Sequence, residues 1–497
     1  MPLLRHLIRS LQKAQISGDL EREVVQIAYD SRKVARDALF VAIPGLKVDG
    51  STFIPQALDQ GAIAVVTERD PGALPAQRKG MENVTFIQVP DAREALALIA
   101  HEFWGRPTET LRLFGVTGTN GKTTTAYLIR SIFSQAGFKT ANLGTVGYFI
   151  GEETLSAPQT TPEAPELQAL FAEMLKKEID CCVIEVSSHA LELKRVDQCR
   201  FRAALFTNLT QDHLDFHKTM EAYFQAKLRL FKEFAPSVAV VNLDDSWGGR
   251  VLEAYSGEKL TFGIRERADI TPAQVEISMK GLDLQLNTPS GTLAIRSPMT
   301  GEHNVYNILG AAAMAISQQL PLEAIAEGVA SLKGVPGRFE KVDEGQDFLV
   351  IVDYAHTPDA LKKLLTTARK LVRGKLLTVF GCGGDRDRGK RPLMGAISAQ
   401  ESDVSLVTSD NPRGEDPEAI TAMIEAGIQK ERGTASYQVI VDRQEAITQA
   451  IKMASSGDVV VIAGKGHETY QIFRDRTIEF DDREVARGAL MAKLGAR

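Results

Sequence analysis

Short apolar runs bounded by turn residues recur along the whole chain, and stretches with apolar positions every third or fourth residue separate them. The first runs are LFVAI (39–43), AIAVVT (62–67) and VTFIQV (84–89). LRLFGV (111–116), CCVIEV (181–186), AALFTN (203–208) and VAVVNL (238–243) follow. A last group comprises FLVIVD (348–353), LLTVFG (376–381), VSLV (404–407) and VVVIAG (459–464). Most have no alternation of polar and apolar positions, which is the pattern of strands covered on both faces by helices. The class predicted is α/β.

Breaks in texture divide the chain. An aromatic, proline-marked junction, FWGRP (103–107), closes the first group, and KGVPGR (333–338), with Gly334, Pro336 and Gly337, has the composition of a hinge before the last. The expected domains are 1–106, 107–335 and 336–497. The opening MPLLRHLIRSLQKAQ, interrupted by Arg5, His6, Arg9 and Lys13, reads as an amphipathic first helix and not as a signal peptide.

Composition narrows the function classes. At 497 residues the chain exceeds one ordinary core, and 44% hydrophobic with 25% charged residues is globular. A net charge of −6 argues against a broad nucleic-acid surface. No apolar run approaches the ~18 residues of a membrane span, so the expectation is a cytoplasmic protein, without membrane or nucleic-acid partners and monomeric. Cys181, Cys182, Cys199 and Cys382 have neither disulfide nor zinc spacing and read as buried thiols.

The candidate chemistry sits at strand ends. GVTGTNGKTTT (115–125) joins a strand to a helix. Gly118 and Gly121 let the backbone turn its amides to a phosphate, with Thr119 and Asn120 between them. Lys122 can reach β/γ-phosphates, the Thr123 hydroxyl suits Mg²⁺, and Thr124 continues the helix, whose positive end adds to the site. The strict G-x-x-x-x-G-K-[ST] spacing is not met, because Val116 stands at its first glycine, but every physical part is present. ATP or GTP is expected. Downstream, Glu185 with Ser187, Ser188 and His189, and Asp212, His213, Asp215 and His217 in TNLTQDHLDFH, end two further strands. Glu and His suit a magnesium shell that also takes phosphate oxygens. Each of the four strands after the hinge ends in a polar cluster, and open α/β sheets bind ligands there, so a second ligand site is expected.

GTNGKTT, EVSSH, TNLTQDHLDFH, YFQAKLRLF, VVNLDD, GEHNVYN, GRFE and DYAHTPD occur here in the order found in the Mur ligases, and the chain resembles that family over essentially its whole length. The resemblance implies three α/β domains: an N-terminal UDP-binding domain, a central P-loop ATPase and a C-terminal Rossmann-like domain. It implies an ATP-dependent ligase of peptidoglycan precursor synthesis, a pathway tied to cell shape and division. In that reaction a carboxylate is phosphorylated and an amine displaces the phosphate. AYDSR, LFVAIPG and the Asp49-Gly50 pair resemble the members that extend UDP-N-acetylmuramoyl-L-alanyl-D-glutamate.

Carried over position by position, the resemblance makes Lys122 a phosphate contact, with Glu185 and His213 as Mg²⁺ ligands beside Thr123. Lys227 matches a lysine carbamylated by CO₂, whose anion would complete the metal shell. Asn304 and Asn307 match adenine-side residues, and Arg338 and Asp353 match ATP-facing ones, with His356 nearby. Tyr29, Ser31, Thr160, Thr161, Ser187 and Arg195 match positions that hold the UDP-muramoyl-dipeptide. Leu46, Lys47 and Val48 depart from the family's loop before Asp49, and Leu193 stands where some members have glutamine.

The D-N-P-R tetrad marks the family's meso-diaminopimelate enzymes. Arg386, Asp410, Asn411, Pro412 and Arg413, with Gly464 and Glu468, match their amino-acid pocket. An arginine fork takes the second carboxylate that diaminopimelate has and lysine lacks. Arg388, Lys390 and Arg391 read as a solvated basic loop. A lysine-adding ligase, a folylpolyglutamate synthase or a catalytically silent nucleotide-binding module are the alternatives. DNPR and the DSR domain count against the first two. A silent module would have lost Lys122, Glu185, His213 or Lys227, and all four are present.

Overall fold

The computed structural model describes residues 1–45, 48–70, 83–431 and 436–495, so Leu46 and Lys47 lie outside the described residues. Contacts divide the chain into two compact units, Met1–Thr271 with Leu309–Ile325, and Pro272–Ile308 with Ala326–Arg497. The first carries two α/β domains and the second carries one.

In the first unit, the N-terminal sheet has five strands in the order Gln15–Ser17, Thr85–Gln88, Ala62–Thr67, Ala38–Val41, Gln26–Ala28, with only the Gln15–Ser17 pairing antiparallel. The first helix is shorter than its sequence suggests. It covers Leu4–Ile8, and the polar end of the same stretch joins the sheet edge as Gln15–Ser17.

The central sheet has eight strands, and Arg112–Thr117 lies between Phe201–Phe206 and Cys181–Glu185. All three pair in parallel and are almost wholly buried, as unbroken apolar runs require. From Arg112–Thr117 the chain passes through the helix Lys122–Gln135 to Thr140–Leu143, while later strands fill the other side. The phosphate-type loop therefore opens at the point where strand order reverses. Gly137, at φ +88°, stops that helix, and the Phe138 amide reaches back to the Phe133 carbonyl at 3.1 Å. The short hairpin Tyr148–Ile150 with Glu153–Leu155 extends the sheet.

The second unit holds a six-stranded sheet ordered Glu340–Val342, Leu349–Asp353, Val459–Ala463, Leu376–Phe380, Val404–Val407, Ser436–Val439. Period-two side chains supply both faces. Leu349, Ile351, Val459 and Val461 enter one core, and Val350, Val352, Val460 and Ile462 enter the other. All four strand ends expected to carry ligand chemistry lie in this sheet. Residues 335–338 are no loose tether. Val335 is buried, the Tyr354 amide donates to the Gly337 carbonyl at 2.9 Å, and a side chain at Gly337 would run into the His467 backbone. The hinge-like composition answers a close backbone approach. Among the described residues no helix is long and apolar enough to cross a membrane. All four cysteines are free and buried.

Candidate functional site

In the first unit, the loop after Arg112–Thr117 is built around two glycines. Gly118 has φ +148°, and a Cβ there would collide with the Thr207 hydroxyl; Gly121 has φ +84° just before the helix. The TNLT segment braces the loop from outside. The Thr119 amide donates to the Asn208 carbonyl at 2.8 Å, the Asn120 amide to Asn208 Oδ1 at 3.0 Å, and the Thr207 hydroxyl to the Asn120 carbonyl at 2.7 Å. Lys122 Nζ donates to the Gly118 and Thr119 carbonyls at 2.9 and 2.8 Å.

Glu185 is completely buried at the end of its strand. Its Oε2 accepts from the Thr123 hydroxyl at 3.0 Å and the Thr145 hydroxyl at 3.2 Å, and its Oε1 accepts from the Thr145 amide at 2.9 Å. Gly144 leaves room for that carboxylate, whereas a Cβ there would overlap it. The Glu185 carbonyl accepts from the Thr161 hydroxyl at 2.8 Å, and the Ser187 amide donates to that hydroxyl at 3.2 Å. Thr160 meets the Thr145 hydroxyl at 3.1 Å, and Arg195 Nη1 donates to the Thr161 carbonyl at 3.2 Å. Hydrogen bonds thus run from the phosphate loop through Glu185 to Thr160, Thr161, Ser187 and Arg195.

Lys227 Nζ is buried and donates to the Gly118 carbonyl at 2.8 Å, the oxygen that Lys122 also uses. Burial first, and then the Lys122 charge, pushes its amine well below the usual lysine range. Its Nζ lies 4.6 Å over the Tyr223 ring. His213, in a left-handed conformation at φ 52°, stacks edge-on to His189 at 4.8 Å. Burial lowers its pKa, with Lys122 and Lys227 adding to the effect, and so favours the neutral imidazole that a metal binds.

Among the described residues no group of three or more His, Cys, Asp or Glu side chains is placed to hold a metal ion by itself. A hard cation here would therefore rely on Glu185, His213, the Thr123 hydroxyl, phosphate oxygens and any anion made from Lys227. That donor set fits Mg²⁺, which takes one or two carboxylates and substrate phosphates.

Of the N-terminal candidates, Tyr29 donates to Glu166 Oε1 at 2.9 Å and Ser31 donates to Gln56 at 2.8 Å. The first touches a helix of the central domain, while the second remains within its own domain. Sequence reasoning missed Thr145, Tyr223 and Asn208, and also Glu163, which lies 2.8 Å from Arg195 Nε. Asn208 and Tyr223 stand inside the runs TNLTQDHLDFH and YFQAKLRLF, which could have flagged them, whereas Thr145 and Glu163 fall in no such run.

In the second unit, Asn304 and Asn307 are buried, with Asn307 Nδ2 donating to Asn304 Oδ1 at 2.9 Å. The Arg338 guanidinium lies 5.3 Å over the Tyr354 ring, and its buried Nε has no hydrogen-bond partner among the described residues. Asp353 accepts the Phe339 and Ala355 amides at 2.7 and 2.8 Å. Burial raises its carboxyl pKa, and Arg338 opposes that rise. His356 Nδ1 faces the Tyr354 carbonyl at 2.9 Å.

The remaining candidates lie at the carboxyl ends of Leu376–Phe380, Val404–Val407 and Val459–Ala463. Asn411 Nδ2 donates to Glu468 Oε2 at 2.9 Å, and Asp410 Oδ2 lies 2.7 Å from where a Cβ of Gly464, at φ +119°, would stand. Arg413 takes φ +51°, and its Nη1 donates to the Gly384 carbonyl at 3.0 Å. That same Nη1 and Arg386 Cγ flank one point beside Gly383. Pro412 is buried at the centre of the loop.

Arg391 corrects the reading of the basic loop. Only 1% of its side chain is exposed, and its guanidinium binds Glu415 with two bonds of 2.8 and 3.0 Å. Glu415 also accepts the Asp385 amide at 2.6 Å, so it staples the Arg386 loop to the Arg413 loop. The charge spacing of this stretch resembles a solvated run, and only the partner 24 residues away in sequence turns Arg391 inward.

Three family models match the chain. Residues 23–104 match the Mur ligase family catalytic domain, 116–315 the Mur ligase middle domain, and 337–466 the Mur ligase glutamate ligase domain. The chain is 47% identical over 496 residues to the UDP-N-acetylmuramoyl-L-alanyl-D-glutamate–2,6-diaminopimelate ligase of Syntrophomonas wolfei, covering 99% of each. To the ligase of that name from Geobacillus thermodenitrificans it is 46% identical, with 94% of this chain and 95% of the other covered. A solved structure of a ligase so named superposes with a TM-score of 0.73 at 35% identity, over 99% of both chains. Folylpolyglutamate synthase of Mycobacterium tuberculosis, at 18% identity and a TM-score of 0.58, covers 80% of this chain and 94% of its own and shares the fold.

Proposed function

The chain belongs to the Mur ligase family, and from that premise we propose that it joins meso-diaminopimelate to the D-glutamate of UDP-N-acetylmuramoyl-L-alanyl-D-glutamate, consuming ATP in peptidoglycan precursor synthesis. Residues 1–106 hold the UDP end, with Tyr29 and Ser31 as contacts. Residues 107–335 hold ATP, and 336–497 hold the diamino acid. The protein works in the cytoplasm as a monomer.

The γ-phosphoryl group passes from ATP to the glutamate carboxylate, giving an acyl phosphate and ADP. The amine then attacks the carbonyl carbon, phosphate leaves, and the amine loses a proton. Phosphoryl transfer needs positioning and charge neutralisation more than covalent help. The amides of Gly118–Thr124 and the Lys122 ammonium cradle the phosphates, with Asn304, Asn307, Arg338 and Asp353 assigned to the nucleotide. Thr160, Thr161, Ser187 and Arg195 hold the dipeptide, and their hydrogen-bonded path to Glu185 ties acceptor position to phosphate position.

Mg²⁺, held by Thr123, Glu185, His213 and a carbamate on Lys227, would neutralise charge on the phosphate oxygens. Lys227 suits that modification. A neutral amine has a lone pair that adds to CO₂, sheds its proton and leaves an anion where a second cation would stand beside Lys122.

The choice of amine rests on one observation: the Arg413 loop, pinned to the Arg386 loop and hydrogen-bonded to Glu468 through Asn411. Arg386 and Arg413 take the distal carboxylate, and Glu468 takes the distal ammonium. Phosphate release with the UDP-dipeptide, Mg-ATP and either diamino acid tests the reading. Turnover with diaminopimelate is expected, and turnover with lysine alone would refute it.

A further inference from the structure

Lys465 has no role in the reaction as described, yet its side chain is completely buried beside the proposed amino-acid pocket. Its Nζ donates to Asn411 Oδ1 and to Glu468 Oε2, each at 3.1 Å, and lies 5.5 Å from the centre of the Tyr470 ring. Removing a lysine ammonium from water is costly unless polar partners hold it. Here both hydrogen-bond partners are residues assigned to the substrate.

We propose that Lys465 is a positioning residue that sets the discrimination between diaminopimelate and lysine, by fixing Glu468 and offsetting its charge. The proposal rests on the diaminopimelate reading of the pocket. Asn411 Oδ1 accepts from Lys465 and from the Ile472 amide at 3.0 Å, so the amide must direct Nδ2 to Glu468. Glu468 Oε2 then has two donors, Asn411 Nδ2 and Lys465 Nζ. Among the described residues, every hydrogen bond to this carboxylate falls on Oε2, and Oε1 keeps its full accepting capacity for a ligand ammonium.

Charge makes the same point. The Asp410 and Glu468 carboxylates both bear on Tyr470, the ring beside Lys465 Nζ, and Lys465 offsets Glu468 from the buried side. A zwitterionic end, ammonium plus carboxylate, suits a balanced pocket. Without the buried cation the extra negative charge favours a ligand whose far end is only an ammonium, as in lysine. Arg443 also interacts with Asp410 and Glu468 but hydrogen-bonds to Asp482, so it does not replace Lys465 at Oε2.

Lys465→Met keeps the length and packing of the stem and removes the charge. In the full-length enzyme we expect its KM for meso-diaminopimelate to rise about tenfold or more, the effect of losing one charged hydrogen bond. The KM for ATP should stay within about twofold, and the ratio of kcat/KM for diaminopimelate over lysine should fall. An unchanged ratio, or equal losses for every substrate together with a lower Tm, overturns the proposal. Should Lys465→Met not fold, Lys465→Met/Glu468→Gln removes the uncompensated carboxylate as well. It should fold and discriminate poorly, and parental discrimination in it would also overturn the proposal. A parent enzyme that prefers lysine refutes the pocket reading itself and the proposal with it. Normal discrimination in Lys465→Met, beside a parent that prefers diaminopimelate, refutes the proposal alone.

Discussion

Arg413 and Lys227 carry the proposed choice of amine and the proposed metal anion, and each can be tested by one substitution. Arg413 follows Pro412 in a tetrad that needs no arginine to turn, which is what motivates the proposed ligand role. Gly384 and Asp385, from a separate stretch of chain, meet this loop at Arg413 and Glu415. Truncating it to Arg413→Ala removes a charged hydrogen-bonding group. The expected loss is about 1.5–3 kcal/mol, or ~10–150-fold in KM for diaminopimelate. The KM for ATP should barely change, and equal losses for both substrates would contradict the assignment. Lys227→Arg tests the other residue: a guanidinium cannot form the carbamate, so activity should fall at least ~100-fold while UDP-dipeptide binding by calorimetry persists. Activity near the parent's would remove carbamylation from the mechanism. Lys465 and Arg391 show the limit of reading single residues, since a lysine in GKGHE and an arginine in a basic run look solvated until their partners are known.

Among the elements, the buried parallel strands were plain from their apolar runs. Thr140–Leu143 was not, because TANL carries threonine and asparagine in a fully buried strand. The hairpins Tyr148–Leu155 and Tyr470–Glu479 were missed as well; each of their strands spans three residues, too short for a period to register. The elements of the second unit also share a brace that no motif announced. Arg443 and Asp482, both fully buried, pair through two bonds of 2.7 Å. The same guanidinium donates to the Ala463 carbonyl at 3.0 Å and the Ser409 carbonyl at 3.4 Å. Those carbonyls precede Gly464 and Asp410, so the pair connects the helices Arg443–Met453 and Asp482–Gly495 to both strand ends that form the pocket. Asp482→Ala strands a buried guanidinium and should cost about 3–5 kcal/mol. A urea-unfolding midpoint equal to the parent's would show the pair to be dispensable.

For the molecule as a whole, stability depends on which groups change protonation when the fold opens. Burial lowers His303 to about 4, whereas an unfolded histidine titrates near 6.5. Between those values the unfolded chain takes up a proton that the folded one refuses, so this group's contribution is intact above about 6.5 and is lost as pH falls toward 4. Asp197 works in the opposite direction. Burial raises it to about 6, so the fold takes up a proton there that the unfolded chain accepts only near 3.9, and its contribution grows as pH falls through that range. Because other groups titrate alongside, the informative quantity is a difference. His303→Leu should gain on the parent in urea midpoint as pH is lowered from 6.5 to 4, and a constant gap would show that His303 is not held neutral.

Arg413 sits at φ +51°, a conformation in which glycine rests without penalty and an arginine does not. With the proposed substrate role, backbone and substrate make opposing demands on one codon. In a library of all substitutions at this position, sorting for soluble folded protein should enrich glycine and asparagine. Sorting for growth that depends on wall synthesis should keep arginine. The distance between those two rankings measures what selection spends, at a single residue, to distinguish one diamino acid from another.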